Sequence, residues 1–403
     1  MITLRIQRIE LVAWSLAFLF VAYANNPVSG QELTVAITRN EAAADYPSGI
    51  NFVLESTANS RVERVELLFR AADSKTLNLA TPTFVAGTSI NVNYPLDLET
   101  HYLPPGVDVV YRWRLIMADG STKETEPATV LWFDDRFTWE RFDSEQVTVY
   151  AYNGDTALSQ RILDSAQRTV TKLEADLGVP VSSALRIWVY ESSADLAGAQ
   201  PPNSNLIAGV TYAWLDLIAV AIASGNDSEI GRIIPHEVSH HVFYQATLNP
   251  FNHAPYWLDE GLAIYYQEAG QNELAAVLES AIAEGRITSV RALNSPFAFE
   301  QEAFRTSYAQ SWSIVGFIVA EFGQEKLGAL VRVYRDGVSH ADAVQLALGV
   351  SLEELDAQWK ASIEYVDYGG FTVLDSTSFH AGGERYRSAY WRRLELVSRG
   401  LEA

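Results

Sequence analysis

The chain has 403 residues, of which 48% are hydrophobic and 20% are charged. This composition is typical of a globular protein and excludes a disordered chain, and the length allows two domains with separate cores. Asp and Glu number 50 against 29 Lys and Arg, and the net charge of −21 argues against nucleic acid and anionic lipid as partners. The chain has no cysteine, which excludes disulfide bonds and a cysteine-linked lipid anchor.

The N-terminal segment has the three parts of a secretory signal. A basic end is followed by an apolar run over residues 11–24, which closes on the small residues Ala22 and Ala24. Because a bilayer span needs about 20 apolar residues, we favour a cleaved signal peptide at residues 1–24 over a retained anchor. We therefore expect a secreted, extracytoplasmic protein of bacterial type, with no stable membrane insertion after removal of the signal.

Residues 31–137 contain short alternating apolar runs separated by Gly, Pro, Asn and Asp. Such spacing, with about seven strands in roughly a hundred residues, predicts an all-β immunoglobulin- or fibronectin-like sandwich domain. Its role is either that of a spacer or docking domain or that of a substrate-binding module. The clearest predicted strands are Glu32–Ile37, Ile50–Leu54, Val62–Phe69, Val109–Ile116 and Ala128–Phe133.

From residue 138 the pattern mixes helices and strands, and it predicts an α+β domain over residues 138–368 that is mostly helical in its C-terminal half. A helix at Ala157–Leu177 precedes a strand at Leu185–Tyr190, and two strands on a tight turn follow at Leu206–Tyr212 and Leu215–Ile222. The later predicted helices are Gln271–Ala283, Thr306–Phe322, Glu325–Arg335, Ala341–Leu348 and Leu352–Tyr365.

Residues 369–403 form a C-terminal tail. Within it Tyr390, Leu394 and Val397 recur at helical spacing beside arginines, which predicts a terminal helix. Docking of this helix on the protein is the first interpretation, and a helix lying on a membrane surface is the alternative.

The motif His-Glu-x-x-His at residues 236–240 is the strongest chemical signal in the chain. His236 and His240 lie one turn apart on one helical face, where two imidazole nitrogens can bind one metal ion. Glu237 is turned by about 100° from His236, so it can reach a water molecule at the metal without being a ligand. Pro235 precedes the motif, and it indicates a helix that either begins near Ile234 or is kinked there.

A catalytic zinc usually takes three protein ligands, so a third is expected nearby. A second helical pattern at Tyr256–Tyr266 contains Glu260, and the adjacent Gly261 would let two helices pack closely. This segment resembles the Trp-Leu-x-Glu-Gly-x-Ala sequence of the gluzincin zinc metallopeptidases, in particular the peptidase MA-like group of secreted bacterial proteins. The matching residues are Trp257, Leu258, Glu260, Gly261 and Ala263.

The resemblance implies a thermolysin-like domain that binds one catalytic Zn²⁺ through His236, His240 and Glu260, with Glu237 as the catalytic carboxylate. Some gluzincins place an aspartate four residues after the third ligand to hold a ligand histidine. Ile264 occupies that position here, and Asp259 is the candidate to replace it.

The resemblance also implies that an edge strand before the metal helix pairs with the substrate backbone. One of the two strands in residues 206–222 would have this task, and the alternative is an ordinary core hairpin. The segment around Tyr308 resembles a tyrosine-containing segment of the family, which makes Tyr308 a candidate donor to an oxyanion. The alternative for Tyr308 is packing at a helix start, and His241 and Tyr256 are weaker candidates for the donor.

We interpret the sequence as that of a secreted zinc metallopeptidase that acts on a peptide or protein substrate and not on nucleic acid. The chain lacks the Gly-x-Met-Glu-Asn segment of gluzincin aminopeptidases, which favours an endopeptidase, and it lacks the Gly-x-Ser-x-Gly element of serine hydrolases. One alternative is a non-catalytic cell-surface binding protein with a retained peptidase fold, which the intact Glu237 argues against. The other is a zinc amidase acting on a cell-wall amide.

Overall fold

The computed structural model describes residues 33–72, 74–201, 208–297 and 300–365. The predicted signal peptide at residues 1–24 and the predicted tail at residues 369–403, with its terminal helix, lie outside these ranges. Within the described ranges, no helix combines the length and the apolar character that crossing a membrane requires.

Twelve strands and nine helices are found in the described residues. The strands are β1 Val35–Asp45, β2 Gly49–Ala71, β3 Asn78–Ala80, β4 Gly87–Asp97, β5 Val107–Met117, β6 Thr122–Glu124, β7 Ala128–Trp132, β8 Glu140–Asp143, β9 Val147–Ala151, β10 Leu185–Tyr190, β11 Gly209–Tyr212 and β12 Leu217–Ala221. The helices are α1 Thr156–Leu177, α2 Ser193–Ala197, α3 Asp227–Thr247, α4 Tyr256–Tyr265, α5 Gln271–Ala283, α6 Gln301–Phe322, α7 Gln324–Val333, α8 His340–Leu348 and α9 Leu352–Ser362.

The N-terminal region is β-rich, and β1 to β7 form one antiparallel sheet around the long strand β2. Two of the predicted strands, at 50–54 and 62–69, are parts of this single 23-residue strand. Residues 49–57 of β2 pair with β1 and β4, and residues 62–71 pair with β5. The polar residues between the two apolar runs stay extended, because β2 passes there from pairing with β1 and β4 to pairing with β5 and makes no turn.

The two halves of β2 share one core. Phe52 in the first half contacts Tyr111 of β5 at 4.9 Å between ring centroids, and it lies 6.1 Å from Phe69 in the second half. Side chains of β5 alternate between buried and half-buried, with Trp113 inside and Arg112 facing outward, as the alternating pattern predicts. The immunoglobulin- or fibronectin-like class of this region, and its boundaries at residues 31–137, stay predictions.

A second sheet organises the rest of the chain, in the order β11-β12-β10-β9-β8. Strands β9, β10 and β12 run parallel, and they are rich in Val, Ile and Leu because both faces of the sheet are covered. The predicted hairpin is found as β11 and β12, which are antiparallel and joined through a 3₁₀ turn. Strand β11 lies at the sheet edge and contacts α3.

The N-terminal region covers one face of this second sheet. Trp188 of β10 is buried, and its indole lies so close to Gly106 that a Cβ atom there would be 2.2 Å from the indole nitrogen. The Tyr102 hydroxyl is 2.8 Å from the Tyr212 hydroxyl at the end of β11. The edge strand is therefore fixed from the N-terminal region as well as by its own sheet.

Helices α1 and α3 to α9 share the larger core of the chain with the other face of the second sheet. Helix α4 packs on α6 at Gly261, where a Cβ atom would lie 2.4 Å from the Ser311 carbonyl oxygen. The close helix contact predicted at this glycine is thus present. Helix α6 begins at Gln301, earlier than predicted, because Glu300 caps it by accepting the amide protons of Glu302 and Ala303.

Candidate metal centre

The His-Glu-x-x-His motif lies in the second half of α3, and Pro235 is inside this helix. The helix begins at Asp227, so a start near Ile234 is wrong. A proline at position 235 cannot donate to the carbonyl of Gly231 four residues earlier. The amide of Glu268 donates to that carbonyl instead, at 2.8 Å. The bond lost to proline is thereby replaced by one that joins the loop after α4 to α3.

Helix α4 brings Glu260 to the two histidines. The Nε2 atoms of His236 and His240 are 3.2 Å apart, and they lie 3.7 and 3.6 Å from Oε2 of Glu260. In the described part of the chain, these three residues form the cluster that could hold a metal ion. The structure thus assembles the three residues that the sequence predicts as ligands.

The cluster fits a tetrahedral metal ion with an open position. Three ligand atoms at zinc distances of about 2.1 Å would lie about 3.4 Å from one another, close to the separations observed. Among the described residues, the buried Oε2 of Glu260 has no hydrogen-bond partner. A buried carboxylate oxygen without a donor is costly, and a cation bound by the same three atoms would remove that cost.

The electrostatics of the cluster also favour a cation. Burial lowers the pKa of His236 well below its usual value, which keeps this imidazole in the neutral form that binds metals. Burial acts in the same direction on His240, but Asp259 and Glu260 outweigh it and raise the pKa of His240 to about 10. Burial raises the pKa of Glu260 to about 7. The carboxylates of Asp259 and Glu260 therefore make positive charge favourable within the cluster.

Each histidine is held through its second ring nitrogen. Nδ1 of His240 lies 2.7 Å from Oδ1 of Asp259, and the side-chain amide of Gln267 lies 2.8 Å from Nδ1 of His236. Such contacts fix the ring orientation and leave Nε2 facing the cluster. Asp259 thus holds a ligand histidine, as the sequence suggests. It does so in place of an aspartate at position 264, where this chain has isoleucine.

Glu237 is buried between α3 and the edge strand β11. Thr211 Oγ1 lies 2.7 Å from Oε2 of Glu237 and 3.0 Å from the backbone oxygen of the same residue. Burial raises the pKa of Glu237, while His240 and the Thr211 hydroxyl act against that rise. Glu237 is therefore placed beside the His-His-Glu cluster without belonging to it.

A cleft of about 360 Å³ opens onto His236 and Glu237, and Tyr308 lines it. The Tyr308 hydroxyl is close enough to the Glu260 carboxylate for the two groups to shift each other's pKa. Burial, followed by the charge of Glu260, raises the pKa of Tyr308, so its hydroxyl keeps its proton. Tyr308 is the eighth residue of α6, and its ring also packs on Phe297 and Phe304, so packing stays the alternative to a donor role.

The two weaker candidates lie elsewhere. His241 is fully buried, and its Nε2 lies 3.0 Å from the side-chain nitrogen of Gln245 on the far side of α3. Tyr256 is 43% exposed at the beginning of α4, and its ring neighbours Phe297. Neither residue lines the cleft described above.

Thr211 and Gln267 are site residues that sequence reasoning missed. Thr211 precedes Glu237 by 26 residues, and Gln267 follows His236 by 31. Neither separation has a helical or strand period, so no pattern links the partners. The available signal was the position of Thr211 inside the predicted strand at residues 206–212, and the position of Gln267 directly after the second motif.

Residues 165–365 match the family model of the Peptidase MA superfamily. The matched segment, residues 165–365, includes the whole His-His-Glu cluster, Glu237 and Tyr308. The match suggests a metallopeptidase, which agrees with a His-His-Glu cluster that could hold a metal ion. The sequence has no match among curated proteins.

Proposed function

We propose that the protein is a secreted zinc metallopeptidase of the gluzincin type, with a thermolysin-like peptidase region that cleaves within peptide or protein chains. The observation that carries the proposal is the partly buried cluster of two imidazole nitrogens and one carboxylate oxygen within 3.7 Å, with a second carboxylate beside it. The match to the Peptidase MA superfamily supports the same reaction class.

In this proposal His236, His240 and Glu260 bind one Zn²⁺, and Asp259 and Gln267 hold the two imidazole rings. When bound, zinc supplies Lewis-acid polarisation of the scissile carbonyl and lowers the pKa of a water molecule. The chain itself supplies the fixed direction of the three ligands, the water-poor surroundings and the negative charge that retains the ion.

Glu237 is the proposed general base. Its carboxylate takes a proton from the attacking water as the C–O bond forms, and it passes this proton to the departing amine when the peptide C–N bond then breaks. Burial and the elevated pKa of Glu237 suit a group that must accept a proton and then release it.

The edge strand β11 is the proposed binding strand for the substrate backbone. It lies at the border of its sheet and beside the cleft, so an extended peptide can add to it by main-chain hydrogen bonds. Tyr308 is the proposed donor to the oxyanion, since it lines the same cleft and stays protonated.

Two other functions use the same site differently. A non-catalytic binding protein would have no use for the buried Glu237 beside the cluster, a placement that costs desolvation energy. A zinc amidase would need the same carboxylate but would accept a cell-wall amide in place of a peptide. Cleavage of an unstructured protein separates the peptidase from both alternatives.

The first prediction separates chemistry from metal binding. Glu237→Gln should retain one zinc per chain and lose about 10²- to 10⁴-fold in kcat, because only the proton acceptor is removed. Glu260→Ala should lose zinc and activity together. Elemental analysis and hydrolysis of an unstructured protein measure both, with Glu321→Gln on the exposed end of α6 as the control. Parent-like hydrolysis by Glu237→Gln at equal zinc content would exclude Glu237 as the base.

The second prediction concerns Asp259. Asp259→Asn preserves the shape of the side chain but removes the charge next to Nδ1 of His240, and zinc affinity should fall about 10- to 100-fold. Competition with a chelator of known affinity measures this change. Asp164→Asn is an equivalent change at an exposed position of α1, and it should leave the zinc affinity unaltered. Equal affinities in the two variants would contradict the assigned support of His240.

The third prediction tests Tyr308. Tyr308→Phe should lower kcat by about 10²- to 10³-fold, the loss expected for one oxyanion donor, with zinc content preserved. Tyr256→Phe serves as the matched control and should keep the parent kcat. Loss of zinc from Tyr308→Phe would instead show that the hydroxyl supports Glu260 as a metal ligand. A loss of activity confined to Tyr256→Phe would assign the oxyanion donor to Tyr256.

A further inference from the structure

We propose that Thr211 is a positioning residue that holds the Glu237 carboxylate in its working orientation, and that Gly209 keeps open the space this carboxylate occupies. Both residues lie on the edge strand β11, whereas Glu237 lies on α3. The inference rests on the proposed function of Glu237 as general base. It adds the two residues that fix the orientation of its carboxylate.

The contact between Thr211 and Glu237 is short and specific. Thr211 Oγ1 lies 2.7 Å from Oε2 of Glu237, a distance typical of a hydroxyl donating to a carboxylate. The backbone oxygen of Glu237 is a second acceptor at 3.0 Å. One threonine hydroxyl therefore joins the strand to the side chain and to the helix that carries it.

Gly209 defines the other wall of the carboxylate site. A Cβ atom at position 209 would lie 2.6 Å from Oε1 of Glu237 and 2.9 Å from its Cδ, closer than side-chain atoms approach. The carboxyl group thus fills the volume that a side chain at this position would take. The Glu237 carboxylate is thus restricted at Oε1 by its close packing on Gly209 and at Oε2 by the hydrogen bond from Thr211.

This confinement matters because a glutamate side chain has three rotatable bonds. A general base must lie within hydrogen-bond reach of the proton it takes, about 2.6–3.2 Å between heavy atoms. A group that occupies several rotamers is in that position only part of the time, and misplacement by about 1 Å can cost about 10²-fold in rate.

The threonine is itself well fixed. Thr211 pairs with Ile218 of β12 in the sheet, and the next residue, Tyr212, is held by the hydroxyl of Tyr102. A β-branched side chain on a paired strand has few rotamers open to it. The hydroxyl direction is therefore set by the sheet and not by Glu237.

The test compares Thr211→Val with Thr211→Ser in the zinc-loaded mature protein. Valine preserves the branched shape but removes the donor, so kcat should fall about 10-fold or more with KM and zinc content near parent values. Serine restores the donor, so kcat should recover most of the loss. Thr148→Val on β9, where the threonine donates to the exposed Asp143, is the matched control and should retain parent kinetics.

A second variant and a structural measurement keep the test independent of folding and of turnover. Gly209→Ala should displace the Glu237 carboxylate and lower kcat while zinc stays bound, since the group that must move is the end of a side chain. Crystal structures of zinc-loaded parent and Thr211→Val should show one Glu237 rotamer in the first and a different or mixed rotamer in the second.

Two results would overturn the inference. The first is an unchanged Glu237 rotamer and unchanged kcat in Thr211→Val. The second is an equal loss of kcat in Thr211→Ser and Thr211→Val with lowered thermal stability in both, which would mark a purely structural threonine. If the zinc-loaded parent cleaves no peptide, the proposed function fails, and the comparison of Glu237 rotamers still decides the role of Thr211.

Discussion

Two imidazole nitrogens and a carboxylate oxygen lie within 3.7 Å of one another on partly buried side chains, and this crowding is the constraint on which the rest of the site depends. Without a cation such an arrangement leaves Oε2 of Glu260 with no partner among the described residues. Packing enforces the crowding nevertheless. Gly261 lets α4 approach α6, and the amide of Glu268, donating to the carbonyl that Pro235 leaves free, joins the loop after α4 to α3.

Helix α3 is also joined to β11, the edge strand of the second sheet. His236 and His240 face α4, while Glu237 faces β11, so neighbouring residues of α3 serve two different elements. The proposed metal ligands therefore belong to a helix–helix contact, and the proposed base belongs to a helix–strand contact. Because the N-terminal β-rich region holds the end of β11 through Tyr102, its packing reaches to the border of the cleft beside Glu237.

The parts of the site that the sequence predicts are those with a short, periodic signature. His236 and His240 are one helical turn apart, and Glu260 stands in a segment with a family pattern, so local spacing was sufficient. Thr211 and Gln267 reach the site only through the tertiary packing of β11 and of the loop after α4. No spacing rule connects residues that are brought together by packing.

The fold shows the same division. The amphipathic helices and the alternation of β5 follow from hydrophobic period, and the structure confirms them. The continuity of β2 does not follow from hydrophobic period, because residues 55–61 are mostly polar. These residues are kept extended only by pairing with β1 and β4, up to the point where β5 becomes the partner. Likewise, Pro235 inside α3 is tolerated because of a partner supplied by a distant loop.

Zinc-edge X-ray absorption of the mature, zinc-loaded protein tests the central claim most directly. The account predicts a four-coordinate ion with two imidazole nitrogens and oxygen ligands at about 2.0–2.2 Å. In His240→Ala one imidazole should disappear from the coordination shell of any zinc that remains bound. A parent spectrum without two imidazoles, or a His240→Ala spectrum identical to that of the parent, would contradict the assignment of His236, His240 and Glu260 as the zinc site.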